Sequence, residues 1–413
     1  MSHKKRHSAL SADLLLSAPS NDIMRPVNTN DKKSLKINSD KRVLIGLSGG
    51  VDSAVAAALL QSQGYAVEGI ALQLWQALSA PASPIPAAPS AAATVAKALG
   101  IPCHVIDVRS RFYETVVTPF LDAYAQGRTP NPCVRCNPTL KFSVMLEAAD
   151  QMGAQWIATG HYARVHRDTD GTAHLYRARN REQDQAYVLH RLTQRHLRRL
   201  LLPLGEVESK AEVREIARRR QLPNAARRDS QDLCFMSGGD YRTLVADLRP
   251  ESLQPGPIYD ETGQRRGEHR GLARYTVGQR RGLGIAAAER LYVIALRPED
   301  NALIVGPASS LERRHCTLAE MTFPTGAPPP PRGAADRDKP PPTFEAHGRI
   351  RYRAPLIPVT VRIEGTHRAE VTLHQPQRGL APGQSLVLYQ DDEVLGGGII
   401  QATEKYQPVN EES

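Results

Sequence analysis

No apolar run in this chain approaches the roughly 18–20 residues needed to cross a bilayer. The N-terminus offers only Leu14–Leu16 as an apolar core, too short for a secretory signal. A cytoplasmic protein that does not use a membrane is the expectation. Aromatic residues make up 5% of the 413 positions, which fits small α/β and β domains better than a binder of single strands that works by stacking. Five cysteines are an odd and sparse set for such a length. They argue against a disulfide framework and for a reducing compartment with thiols free for chemistry or metal. One C-x-x-C occurs, Cys133 and Cys136, with no H-x-x-x-H nearby, which argues against a zinc ribbon. A Walker A lysine and a G-x-G-x-x-G string are also missing, so neither of those phosphate cradles applies.

The length suggests two or three domains. Lys and Arg number 53 against 43 Asp and Glu, a net +10, which favours a polyanionic partner. Residues 1–40 are polar and without period, and read as a disordered tail. An α/β domain with a mostly parallel, Rossmann-like sheet is expected over 41–245. Its units are a strand at Arg42–Leu47, a helix at Ser53–Gln63 stopped by Gly64, and a strand at Ala66–Leu74. Residues 77–92 read as a low-complexity surface loop. Helices are expected at Ala92–Leu99, Phe112–Ala125 and through Tyr187–Arg220, and strands at Cys103–Val108 and Trp156–Thr159. A small β-rich central domain is expected over 246–310 and a β-barrel over 311–405, interrupted by the Pro-rich insert 327–342.

The string Gly46-Leu47-Ser48-Gly49-Gly50-Val51-Asp52-Ser53 leaves a strand and opens a helix. Glycines let backbone N–H groups come close to phosphate oxygens, and the helix start adds positive potential. Ser48 and Ser53 can donate hydroxyl bonds, while Asp52 could orient Mg²⁺ or cap the helix. This points to an ATP-pyrophosphate loop and hence to activation of a substrate by adenylation.

Two cysteines stand in dense surroundings: Cys136 in Thr129-Pro-Asn-Pro-Cys-Val-Arg-Cys-Asn137, and Cys234 in Asp229-Ser-Gln-Asp-Leu-Cys-Phe235. Arg135 and Lys141 are expected to activate a thiolate in the first loop. A redox dithiol, an iron–sulfur ligand set including Cys234, and a sulfur-transfer nucleophile all remain open on this pattern. Cys103 and Cys316 read as buried and inert.

SGGVDS matches the PP-loop ATP pyrophosphatases. The further strings TPNPCVRCNPTLKF, ATGHYARV, DQAYVL, LPLG-x4-K-x-EVR-x-IA, RRDSQDLCF, YTVGQRRGLGI, RIRYRAP and GGGII follow in order. After residue 40 the chain resembles the bacterial tRNA-specific 2-thiouridylases over nearly its whole length. The resemblance implies adenylation of the 2-carbonyl oxygen of a wobble uridine in the anticodon of tRNA, followed by sulfur transfer. Cys234 would carry a persulfide received from a cysteine desulfurase or relay protein. Cys136 would be the nucleophile that releases the sulfur and closes a Cys136–Cys234 disulfide. Gly46–Ser53, Leu72 and Gly160 would contact ATP, and Asn131, Pro132 and Cys133 would hold the target base. Gln183, Asp184, Gln185, Arg351 and Tyr352 would touch tRNA.

One position departs from the family. Many members carry Asp where this chain has Cys133, which puts a carboxylate acid–base role there in doubt. The change creates a three-cysteine set, Cys133, Cys136 and Cys234, that could ligate a [4Fe–4S] cluster with an open iron for sulfide. His161 is a candidate base or an orienting residue. An adenylating ligase would need the loop but not paired cysteines, and a 2-thiocytidine enzyme would bring two C-x-x-C pairs. A non-catalytic tRNA-binding protein would leave SGGVDS without purpose.

Overall fold

The computed structural model describes residues 24–27, 41–75, 87–227, 233–236, 240–287, 289–329 and 343–405. The first sheet contains β1 (Met24–Val27), β2 (Arg42–Gly46), β3 (Ala66–Gln73), β4 (Cys103–Asp107), β5 (Trp156–Ala158) and β8 (Leu200–Leu201), in the order β1-β4-β3-β2-β5-β8. All its pairs but β1–β4 are parallel. β2 lies in the middle with Val43, Leu44 and Ile45 fully buried, as a continuous apolar run in a two-sided parallel sheet requires. Helix α1 (Val51–Ser62) follows directly and buries its alanines, and Gly64 at φ 82° turns the chain into β3.

Several boundaries differ from the sequence reading. Met24–Val27 lies in the stretch read as a disordered tail, yet it pairs antiparallel with β4 and covers that otherwise open edge. The rest of that tail lies outside the described residues. Helix α2 spans Ala87–Leu99, so part of the expected low-complexity loop is helical, while 76–86 are not described. The helical stretch that ends at Ala125 starts at Arg109 and contains a π turn at Tyr113–Val117. Between Tyr187 and Arg220 the structure has short turns at Ala186–Leu189 and Gln194–Leu197 and one real helix, Lys210–Arg219. The hairpin β6 (Ala163–Arg167) and β7 (Ala173–Arg177) was not foreseen.

The central domain is a four-stranded sheet of β9 (Gly256–Asp260), β10 (Arg265–His269), β11 (Tyr292–Arg297) and β12 (Ala302–Gly306), with a small core around Ile258, Val293 and Leu303. The C-terminal strands are β13 (Glu312–Thr322), β14 (Thr343–Arg349), β15 (Ile357–Glu364), β16 (Arg368–Arg378), β17 (Ser385–Gln390) and β18 (Glu393–Lys405). They run β13-β16-β15-β14-β17-β18, and β13 pairs back to β18 to close a six-stranded barrel. Closure removes both edges, and alternate residues such as Val359, Val361, Val371 and Leu373 fill the interior.

Charge and hydrogen bonds lock the barrel to the α/β domain. Tyr187 Oη donates to the Ser385 carbonyl at 2.7 Å, and Thr129 N to Pro382 O at 2.8 Å. Asp392 accepts from Arg164 at 3.0 Å and Arg181 at 2.6 Å. The deepest link is Asp184 with Arg349, 3.0 Å apart, whose side chains are 1% and 7% exposed. Replacing Arg349 by Met leaves a buried carboxylate with fewer partners. It should cost about 3 kcal/mol of unfolding free energy, read from the denaturant midpoint. Asp184→Asn in the same chain should recover part of that loss, and equal stability of the two variants would contradict the role given to the pair.

Candidate active site

The loop after β2 is held open from several sides. Gly49 has φ 75°, and a Cβ there would sit 2.5 Å from that of Ala91. The Gly49 carbonyl accepts from Asn224 Nδ2 at 3.1 Å and from Arg227 at 3.2 Å. Ser53 Oγ accepts from Ser48 N at 3.2 Å and donates to Gly50 O at 3.1 Å. Gly160 follows β5 and lies flat on the helix start, where a Cβ would meet Ser53 N at 2.7 Å. The first amides of α1 have no carbonyl to bond within the helix, so they face the loop as an anion cradle. Leu72 sits in β3 opposite Ile106 and packs on the core below this cradle.

Asp52 does not cap α1, since no side chain bonds that helix end. Its carboxylate instead accepts from Lys210 Nζ at 2.6 and 2.8 Å and from Tyr162 Oη at 2.7 Å. Mg²⁺ commonly uses one or two carboxylates together with substrate phosphates. Asp52 is a carboxylate at the helix start of the kind such a site needs, and here its oxygens are held by Lys210 and Tyr162. Lys210, Tyr162, Asn224 and Arg227 were not singled out from the sequence. Lys210 and Tyr162 do lie inside the strings LPLG-x4-K and ATGHYARV, which was the available signal.

The cysteine loop is built as a helix start. Asn131 caps Pro132–Cys136 by accepting from Cys133 N at 3.2 Å, and Pro132 occupies the first turn, where no N–H is needed. Pro138 cannot donate to the preceding turn, and its ring would clash with the carbonyl of Val134. The chain accommodates it by widening to a π turn at Asn137–Lys141 before running on as Phe142–Met152. This widening sits between Cys136 and Lys141.

Cys133, Cys136 and Cys234 come close enough to influence one another's ionisation, although nearly a hundred residues separate the loop from Cys234. All five cysteines are free thiols. Cys136 is buried at 6% exposure, while Cys234 is exposed. The expected activation of the loop thiolate is not what the structure shows. Burial pushes the Cys136 thiol up to about 12, and Lys141 only partly opposes that. Desolvation by the surrounding protein likewise raises Cys133 and, although its side chain keeps an exposed face, Cys234, again with Lys141 pulling the other way. Arg135 points out to solvent and contributes nothing to these shifts. Cys103 and Cys316 are buried with raised thiols, as inert cysteines should be. Among the described residues no group of three or more His, Cys, Asp or Glu is arranged to hold a metal ion. The three thiols are neighbours but not a ligand set.

His161 receives or donates a 2.7 Å bond with Thr159 Oγ1 and lies 5.7 Å from the Phe142 ring. Burial holds it well below the usual imidazole range, with Lys141 pushing the same way, so it is neutral. Among the expected tRNA residues, Gln185 accepts from Tyr162 N at 3.0 Å, and Gln183 bonds through its backbone to Asn180. Asp184 is turned inward, with its carboxylate taken by Arg349, Arg177 and the amides of Ala178 and Ala186. Its carboxylate ties the barrel to the α/β domain. Arg351 is exposed, and Tyr352 packs 6.0 Å from Tyr187 and lies near enough to Cys133 to feel its charge. The barrel therefore closes one side of the cysteine site.

Comparison with known proteins fits this geometry. Residues 41–238 match the family model described as tRNA methyl transferase HUP domain, 243–307 the tRNA methyl transferase PRC-barrel domain, and 335–400 the aminomethyltransferase beta-barrel domain. A tRNA-specific 2-thiouridylase MnmA of Chloroflexus aggregans is 44% identical over 366 residues, covering 88% of this chain and 99% of that protein. The chain belongs to the tRNA-specific 2-thiouridylase family. Relatives of the same name from Carboxydothermus hydrogenoformans and Syntrophotalea carbinolica are 41% and 44% identical over 87% of this chain. As a 2-thiouridylase family member it is an enzyme of the tRNA sulfurtransferase type, with a Rossmann-like domain, a small central barrel and a C-terminal barrel. Two of the domain descriptions speak of methyl transfer, but the relatives matched over most of the chain are named for 2-thiouridine formation. No helix among the described residues is long and apolar enough to cross a membrane.

Proposed function

We propose that the protein forms 2-thiouridine at the wobble position of tRNA by adenylation and cysteine-mediated sulfur transfer. The observation that carries this reading is the approach of Cys136 to Cys234 in a chain of the 2-thiouridylase family that also carries the Gly46–Ser53 loop. ATP would lie on the loop, with Gly46–Ser53 and Gly160 against its phosphates and Leu72 beneath it. Mg²⁺ held at Asp52 would neutralise phosphate charge. Asn131–Cys133 and Tyr352 frame the space for the uracil ring, while Gln183, Gln185 and Arg351 stand where tRNA contacts are expected.

The O2 atom of uridine attacks the α-phosphorus of ATP, and pyrophosphate leaves. A persulfide on the exposed Cys234, supplied by a cysteine desulfurase or relay protein, attacks C2 through its outer sulfur, and AMP leaves. The thiolate of Cys136 then attacks Cys234 Sγ. The sulfur–sulfur bond to the RNA breaks, the electron pair stays on the thiouridine sulfur, and a Cys136–Cys234 disulfide remains for an external dithiol to reduce. Incubating the enzyme with tRNA, ATP, a desulfurase and a thiol reductant, then analysing nucleosides by mass, tests the reading directly. Absence of 2-thiouridine under these conditions sinks it. The three thiols are not arranged as a ligand set, which argues against cluster-bound sulfide as the source. Iron and sulfide analysis after anaerobic purification separates the two sources, because an iron-free enzyme that still thiolates excludes the cluster.

The raised Cys136 thiol gives a pH dependence. Near pH 7 the group is almost entirely protonated, since its pKa is about 12. Raising the pH increases the thiolate, so the single-turnover rate should rise by up to about tenfold per unit between pH 7 and 9. Lys141→Met removes the cation that favours the thiolate and should slow the reaction at every pH in that window. A rate that is flat with pH and indifferent to Lys141 would exclude Cys136 thiolate attack as the limiting event.

A further inference from the structure

A cavity of about 300 Å³ lies at the seam between the catalytic domain and the barrel, lined in part by the Asn131–Pro132 segment. Phe120 and Ile399 give it an apolar floor drawn from both domains. Its rim carries three arginines, Arg128, Arg135 and Arg191, against two carboxylates, and both carboxylates are already taken. Asp122 is paired with Arg249 at 3.1 Å, and Glu320 with Arg191 at 2.8 Å. Arg128 is steadied by a neutral partner, Gln401 Oε1 at 3.2 Å, which fixes its planar guanidinium without cancelling its charge. Arg135 has no ion-pair partner among the described residues and stands one helical turn from Asn131.

We propose that this cavity is a second nucleotide subsite, taking a nucleotide adjacent to the wobble uridine in the same RNA strand; the inference rests on the thiolation reading above. Three features fit that occupant. The volume suits one nucleotide and is too small for a folded element. The site shares Asn131 and Pro132 with the uridine pocket, so a strand with its wobble base at the thiols passes this opening next. Splayed bases of single-stranded RNA are held on arginine planes and apolar side chains, with phosphates met by unpaired cations. Arg128 supplies such a plane, Phe120 and Ile399 the apolar wall, and Arg135 the cation. Seating a base there also pulls the strand against both domains, which presents the wobble uridine to Cys136 and Cys234 at a fixed angle.

The test uses the full chain and an unmodified tRNA made abasic at either nucleotide flanking the wobble uridine, one at a time. Thiouridine formation on the intact tRNA is followed in parallel, so that failure of the underlying reading is seen separately as absence of product. Removal of the base at one flank should weaken wild-type binding by roughly tenfold, the loss expected for one stacked base. Ala123→Trp, which fills the cavity, and Gln401→Ala, which frees Arg128, should bind intact and abasic tRNA with nearly equal affinity. Thermal melting checks that both variants are folded, and the milder Gln401→Ala keeps the test open should the tryptophan variant misfold. Wild-type protein indifferent to both abasic positions overturns the proposal. Product forming normally while both variants keep the full tenfold discrimination overturns it as well.

Discussion

Cys234→Ser should abolish 2-thiouridine formation, lowering the rate by about a thousandfold or more while tRNA affinity stays within about twofold, because a serine oxygen cannot carry or release sulfane sulfur. Cys136→Ser should reach the same endpoint by a different route. Cys234 is exposed, where a sulfur-donating protein can reach it, and Cys136 is buried at 6% exposure. The Cys136→Ser protein should therefore still accept sulfur on Cys234, seen as a gain of one sulfur atom in the protein mass, and then stall. Cys234→Ser should gain none. Cys133→Ser should retain measurable thiolation, because Cys133 influences both thiols without being required by either bond change. Thiouridine formed at normal rates by either the Cys136 or the Cys234 variant would refute the division of labour.

The second large effect is expected at Lys210. Its ammonium lies 2.6 and 2.8 Å from the two oxygens of Asp52, at the start of α1 and beside Ser53 and Gly160. Lys210→Ala removes a cation from the phosphate cradle and leaves an Asp52 carboxylate facing an incoming triphosphate. Both changes act in the same direction. The kcat/KM for ATP should fall by at least about a hundredfold, equivalent to roughly 3 kcal/mol. Asp52→Asn in the Lys210→Ala background should recover part of ATP binding but not of turnover, since the repulsion is relieved while the Mg²⁺ oxygen is lost. If Lys210→Ala left ATP kinetics unchanged, the pair would be a structural bridge between Lys210–Arg219 and α1, and only the melting temperature would move.

The two sites differ in how much of them the sequence disclosed. SGGVDS is contiguous, and its glycines, helix start and hydroxyls all act within eight residues, so local chemistry was enough to read it. Lys210 reaches the same loop from a separate helix, and nothing in its neighbourhood announces that its partner is Asp52. The cysteine loop was legible as a functional loop, but the sign of its electrostatics was not. Arg135 and Lys141 look alike on the page; in the fold one points to solvent and the other faces the thiols, while burial outweighs both. Asp184 stands in a string expected to touch RNA, yet it is drawn inward by Arg349, a residue of β14 far along the chain. Met24–Val27 has no strand pattern of its own and became a strand because β4 offered an open edge.

By itself, then, the sequence determined the α/β and β-barrel organisation and the thiouridylase family, and it named the loop and the cysteines proposed to act, because each is written in short contiguous strings whose chemistry is local. Tertiary structure alone decided which thiol is exposed and which is buried, which cation faces them, how Lys210 and Tyr162 hold Asp52, and how the barrel closes the site and leaves a cavity at its seam. Burial and charge pairing depend on what packs beside a residue in space, and a linear order of residues does not state that.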